Sequence, residues 1–392
     1  MKKLLIVSFC PKRGGSTGIT GKLVDSLKEL DSEEYEVSLF DTDFFERNHN
    51  PQEYPVAQYF SLQKYCIEPL VRKIPFVRSL YAEWLIRREF RKILSNNTYT
   101  LIALYHTPGS SYFIVKWAHK YRIKVIMYPW GGDIMRCSRN EKKRIQKAFN
   151  IVDFVGGAEK SNCMLSAERD YNVDVNKFKF QRHYISGVHV LQNLIGKKSR
   201  KEMHEALNIP ISSCNIVCGY NGYETHRHDI IIDSIASVKN YLPKDYQLIF
   251  PLSYGASAEY FQHIKDKCEG LGLNAIYITN FITNEQMAYL HLITDYFINI
   301  QVADCGNAFM IETIFAQKQI ITGKWLHYEQ FEQFGVPYHL IDAPEELPVM
   351  LKKLFVGNEP LSEIPEKLLD IFRIPANYKK GSYWAELLDS IK

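Results

Sequence analysis

Glu312 is the residue whose surroundings point first to chemistry. It sits in an otherwise apolar run that includes Phe309, Met310, Ile311, Ile314 and Phe315, and a carboxylate is costly to bury without a partner. Either Glu312 lies on the solvated face of an amphipathic helix, or it faces a ligand. The residues ahead of it favour the ligand. Residues 304–307 form a turn of small polar groups and residues 308–317 have helix-forming content. The loop therefore ends at a helix N-terminus, where free N–H groups and the positive end of the dipole attract an anion. Asp304 opens this loop, and Asn307 with the amides from Ala308 onward would hold a diphosphate. Glu312, one turn further in, would accept both hydroxyls of a ribose.

Other loops carry compatible groups. Residues 219–228 include Asn221, Gly222, His226, Arg227 and His228, and two glycines, an arginine and two histidines ahead of a helix make a diphosphate cradle. Ser253, Tyr254 and Gly255 follow the apolar run 247–250, while Phe281 and Ile282 follow 277–279 and would line a base site. In the other half of the chain, His106 follows the run 100–105, and Trp130, Gly131, Gly132 and Asp133 follow 124–128. Two glycines that set a carboxylate beside an indole are an unusual arrangement for a mere turn. Gly14 and Gly15 follow the first apolar run but match neither the dinucleotide fingerprint nor the Walker pattern. They are read as a structural turn or as a loop that lets a ligand approach the backbone.

Apolar runs that end in such loops and lead into helices belong to parallel α/β sheets, which bind ligands at the carboxyl ends of their strands. Strands are expected over 3–9, 36–40, 100–105, 124–128 and 152–155, then over 215–219, 247–250, 277–279, 297–300 and 319–322. This gives an N-terminal Rossmann-like domain over 1–187, with a helical insertion at 44–98, and a C-terminal Rossmann-like domain over 188–375. Residues 178–187 read as the linker, and a last helix within 376–392, with Trp384 and Leu387, could pack back on the first domain. The insertion looks helical over 61–94, where eight basic residues outnumber Glu68, Glu83 and Glu89 and alternate with Tyr65, Leu80, Trp84 and Phe90. Such a helix either lies in a membrane interface or belongs to a core-packed pair with a solvated basic back. Six more basic residues against Glu141 follow over 136–147, so a negatively charged surface would meet the N-terminal half.

At 392 residues the chain is too long for one ordinary core. Its 46% hydrophobic and 23% charged content is that of a folded soluble protein, and its net charge of +4 is small. The opening residues imitate a signal peptide, but the apolar run is short and meets Lys12 and Arg13 at once, so a buried first strand is expected. No stretch approaches the ~20 apolar residues of a membrane span. Eight scattered cysteines without a Cys-x-x-Cys pair argue against a zinc site or a disulfide framework and for a reducing cytoplasm.

Two α/β domains around a central cleft, with a glutamate helix in the second, resemble the GT-B class of glycosyltransferases. Residues 130–133, 252–255 and 304–323 are similar to the bacterial family that transfers 4-acetamido-4,6-dideoxygalactose from a dTDP donor to a polyprenyl-diphosphate-linked glycan. The resemblance spans most of residues 100–340. It implies a nucleotide-sugar donor, no bound metal or other cofactor, and a glycan or lipid-linked acceptor in surface polysaccharide synthesis at the inner face of the membrane. Retaining members carry a second glutamate ahead of the ribose-binding one, where this chain has Asp304 and Asn307. An inverting enzyme needs a general base near the acceptor hydroxyl, with Asp133 the first candidate and His106 the second. A nucleotide-sugar epimerase shares the two-domain plan, and a nucleic-acid-binding protein would use the basic stretches, with steep salt dependence.

Overall fold

The computed structural model describes residues 1–9, 33–42, 56–62, 75–180, 186–304, 306–357, 364, 369–370, 373 and 382–391. The chain divides into two compact units, Met1–His183 with Asn377–Lys392, and Tyr184–Ala376.

Unit 1 is built on a parallel sheet of β1 (Lys2–Ser8), β2 (Tyr35–Asp41), β3 (Gln58–Ser61), β4 (Leu101–Tyr105), β5 (Lys124–Tyr128), β6 (Phe154–Gly157) and β7 (Phe178–Phe180). Their order is β3-β2-β1-β4-β5-β6-β7. Leu4 to Val7 and Leu101 to Leu104 are wholly buried, as unbroken apolar runs must be when helices cover both faces of a parallel sheet. The order reverses between β1 and β4, and at such a switch point an α/β sheet opens a crevice beyond its strand ends.

Two expectations fail here. Ser61 ends a strand and does not begin a helix, because residues 58–61 add to the free edge of β2; of the expected helix, residues 63–74 lie outside the described ones. Residues 178–180 pair with β6 as an edge strand, so the stretch read as linker begins inside the sheet. Short edge strands have too few residues for a burial period to show.

The final helix, Ser382–Ser390, belongs to unit 1. Trp384, Leu387 and Leu388 are buried in the cluster that holds Leu4, Tyr105 and Tyr128. The Tyr383 and Tyr128 hydroxyls lie 2.7 Å apart, and Asp389 accepts from Lys2 Nζ at 2.8 Å and from the Tyr35 hydroxyl at 2.8 Å.

Unit 2 repeats the plan with β8 (Cys214–Cys218), β9 (Tyr246–Pro251), β10 (Ala275–Ile278), β11 (Tyr296–Asn299), β12 (Gln319–Gly323) and β13 (His339–Ile341), all parallel in the order β10-β9-β8-β11-β12-β13. Its switch point falls between β8 and β11. Two apolar clusters cover the sheet's faces, one around Phe297, Phe309 and Met310 and the other around Ile231, Phe250 and Ile298. The helix Asn284–Ile293 begins at Thr283, whose side chain accepts from the Gln286 N–H while Gln286 caps in return.

Candidate functional site

The switch point of unit 2 joins two loops. Val302 N–H donates to Thr225 O at 2.9 Å, Arg227 Nη1 donates to Ile300 O at 3.3 Å, and the Tyr220 hydroxyl meets the Gln301 amide at 3.2 Å. Residues 220–227 are thereby bonded to residues 300–302. Half-buried Arg227 sits in the left-handed region, its guanidinium carbon 5.4 Å from the centre of the Trp325 ring, whose indole N–H donates to Gln301 O at 2.8 Å. Arg227 thus presents a positive charge at the end of the central strands.

Asn307 caps the helix Ala308–Phe315, its Oδ1 accepting from Met310 N–H at 2.8 Å. Ala308 and Phe309 supply the amides ahead of that bond, the donors a helix leaves open at its first turn. Asp304 is not an open ligand. Its Oδ2 accepts from the Tyr328 hydroxyl at 2.6 Å and from Asn307 Nδ2, and Asn299 Nδ2 donates to the Tyr328 oxygen at 2.6 Å. Gly306, with φ of 80°, packs where a Cβ would strike the Gln330 amide. Asp304 therefore holds the loop in shape.

The histidines of the expected cradle are core residues. His226 is buried with its ring edge-on to Tyr220, centroids 4.4 Å apart. His228 is buried beside Phe250 and Tyr260, and burial pushes its imidazole down to about 4, so it carries no positive charge at neutral pH. His228 thus offers no cation at the surface and His226 is buried, whereas Arg227 is only half-buried. Asn221 is also buried and braces the turn, its Oδ1 accepting from Tyr223 N–H at 2.9 Å.

Next to this loop lies Ser253–Tyr254–Gly255. Gly222 N–H donates to Tyr254 O at 2.8 Å, and Gly255, with φ of 92°, leaves room for the Tyr223 ring that a Cβ would meet at 2.9 Å. Phe281 is 58% exposed, and its ring lies within 2° of parallel to that of Tyr254 with centroids 6.1 Å apart. Ile282 packs partly against the core beneath it. These loops form a flat aromatic edge beside the switch point.

Glu312 is the largest departure from expectation. Its side chain is 8% exposed, and Oε2 meets His291 Nε2 at 2.9 Å while His291 Nδ1 meets Thr313 Oγ1 at 3.1 Å. On its other side, a Cβ on Gly187 would fall 1.8 Å from Oε1. The carboxylate closes a junction of the helices Ser186–Leu194, Asn284–Ile293 and Ala308–Phe315. It does not face open solvent, so direct contact with both ribose hydroxyls is not the arrangement seen.

In unit 1, His106 leaves β4 at the sheet's switch point with φ of 65° and is 25% exposed at its side chain. Asp133 follows β5, and all its strong contacts are internal. Oδ2 accepts from the Thr107 N–H at 2.8 Å and hydroxyl at 2.9 Å, and Oδ1 from Trp130 N–H at 2.9 Å. Its carboxylate lies 3.8 Å from His106 Nδ1. Burial lowers the His106 pKa and the Asp133 charge works against that, leaving the imidazole below its usual value and unprotonated at neutral pH. The Asp133 carboxylate therefore accepts three internal hydrogen bonds, while the imidazole beside it is neutral and partly exposed. Gly14 and Gly15 lie outside the described residues.

Sequence reading missed His291, Tyr328 and Gly187, whose roles depend on remote partners. Trp325 left a usable signal, since it follows a strand-ending glycine as the other site loops do.

No protein-family model matches the chain, and no curated protein matches it in sequence. Solved structures do match. Anabaena HepE in complex with UDP and glucose is similar over 100% of this chain and 100% of its own, with 14% identity and a TM-score of 0.62. The lipopolysaccharide outer core galactosyltransferase WaaB is similar over 100% of this chain and 99% of its own, with 11% identity and a TM-score of 0.64. A glycosyltransferase from Rickettsia africae covers 100% of this chain and 94% of its own at 14% identity and a TM-score of 0.62. At such identities the likeness shows the fold, and that fold is GT-B.

Proposed function

We propose that this protein transfers a glycosyl group from a nucleoside-diphosphate sugar to a hydroxyl of a glycan or lipid-linked acceptor. The observation that carries the reading is the switch point of unit 2, where Arg227 and the capped N-terminus of Ala308–Phe315 lie on two loops bonded to each other. Arg227 and the Ala308 and Phe309 amides take the diphosphate, residues 253–255 border it, and Tyr254, Phe281 and Ile282 receive the base. The UDP bound by Anabaena HepE, a protein of the same fold, supports a nucleotide donor.

In this reading His106 removes the acceptor proton and Asp133 orients the imidazole and stabilises the imidazolium. The acceptor oxygen attacks the anomeric carbon, the bond from that carbon to the diphosphate oxygen breaks, and the leaving group departs with the electron pair. One displacement inverts the anomeric centre. Arg227 offsets the charge that develops on the leaving group, a task performed elsewhere by a divalent metal. The sequence resemblance makes a dTDP-linked acetamido-dideoxy sugar the first donor to try and a polyprenyl-diphosphate glycan the first acceptor, in surface polysaccharide synthesis on the cytoplasmic face of the membrane.

The test is a thermal-shift screen with UDP, GDP and dTDP. One of them is expected to raise the melting temperature, since a ligand at a hundred times its Kd adds about 2.7 kcal/mol to the native state. Arg227→Ala should weaken that nucleotide roughly tenfold or more, the loss of a charged hydrogen bond. No shift with any nucleotide would sink the reading.

A further inference from the structure

The helix Pro75–Asn96 of unit 1 presents a surface that the donor site does not use. Val77, Leu80, Trp84, Arg88 and Arg91 are its exposed residues at the three- and four-residue spacing of one helical face, and the opposite face buries Leu85, Ile86, Phe90, Ile93 and Leu94. Leu80 is 53% and Trp84 52% exposed, and cations follow directly, with the Arg88 guanidinium carbon 5.4 Å from the centre of the Trp84 ring. The neighbouring helix Ser111–Lys120 extends the pattern. Arg91 and Lys120 each place their charge 4.4 Å from the centre of the Trp117 ring. Of the acids of this helix, Glu83 is taken by Arg87 and Arg144, and Glu89 is buried with Oε1 3.9 Å from the exposed Arg88 Nε. The face is apolar at one end and cationic at the other.

Arg144 also ties this face to the candidate base. While pairing with Glu83, it packs against Gly109, where a Cβ would lie 3.1 Å from the Arg144 side chain, in the loop that begins at His106.

We propose that this face docks unit 1 on an anionic lipid bilayer, with Leu80 and Trp84 entering the headgroup layer and Arg88, Arg91 and Lys120 meeting lipid phosphates. Charge alone would serve any polyanion; the exposed tryptophan and leucine in the same stripe single out an amphiphilic surface. The inference deepens the transferase reading by bringing a lipid-borne acceptor to the loop that carries His106.

The experiment is flotation of the full chain, without nucleotide, on vesicles of phosphatidylcholine alone or mixed with phosphatidylglycerol. Binding is expected to the mixed vesicles and to fall when salt is added. Leu80→Ser with Trp84→Ser, and separately Arg88→Glu with Arg91→Glu, should each weaken it by about tenfold or more, with melting temperatures unchanged because all four side chains are exposed. Failure of the wild type to float with anionic vesicles would overturn the proposal. So would undiminished binding by the Leu80/Trp84 variant, which would make the face a purely electrostatic site for a polymer such as nucleic acid. Because no nucleotide is present, a negative result leaves the donor site standing, and a failed nucleotide screen leaves this result standing.

Discussion

In the proposed transfer, the base at the end of β4 is the side chain less committed to internal hydrogen bonds. Asp133 spends its oxygens on Thr107 and Trp130, whereas His106 is neutral and partly exposed. His106→Gln is expected to lower kcat by about 100- to 10,000-fold, the usual worth of a positioned base, with nucleotide affinity unchanged in calorimetry. Asp133→Asn should act through orientation, lowering kcat while His106 remains the titrating group. The sign of the pH dependence follows from the shift. A base whose pKa lies below the ordinary 6.5 works in its unprotonated form, so kcat should rise with pH along an acid limb below that value and level off above it. An acid limb that persists unchanged in His106→Gln would assign the base elsewhere.

At the level of elements, Ala308–Phe315 is too short to be stable alone and relies on its cap and its neighbours. The Asn307 cap is worth about 1 kcal/mol. Glu312 binds this helix to His291, and Gly187 permits that contact because it has no side chain. Gly187→Ala is therefore expected to cost about 1–3 kcal/mol through overpacking, read as a fall in denaturation midpoint. Gly187→Ala combined with Glu312→Ala should cost less than the sum of the two single changes, since the second removes the group the first strikes. Strict additivity would mean that the two residues do not touch in solution. Donor binding that draws on Glu312 would require the start of Ser186–Leu194 to move away, so the same pair of variants also reports whether nucleotide affinity depends on this junction.

For the molecule as a whole, the last helix completes the core of unit 1 although it follows all of unit 2 in the chain. Trp384 is wholly buried against Tyr105 and Tyr128, the residues that end β4 and β5 just before His106 and Trp130. Trp384→Ala is expected to cost about 3–5 kcal/mol, as large core truncations do. In calorimetry it should lower the transition of unit 1 while the nucleotide-stabilised transition keeps its place. An unchanged thermogram would show that the helix contributes no packing. The sequence by itself placed the longer strands of the two α/β units to within two residues, because unbroken apolar runs closed by loops are local patterns that survive without a partner, but it did not show the short edge strands β3, β7 and β13. It also located the candidate loops, from 106–111 to 304–307, since ligands of such sheets sit at strand ends. Which polar groups in those loops meet solvent was decided only by the tertiary structure. His228, Asp304 and Glu312 are turned inward by Tyr260, Tyr328 and His291, partners 32, 24 and 21 residues away. A buried polar group is stable only where such a partner arrives, and nothing in a local run of residues says which one will.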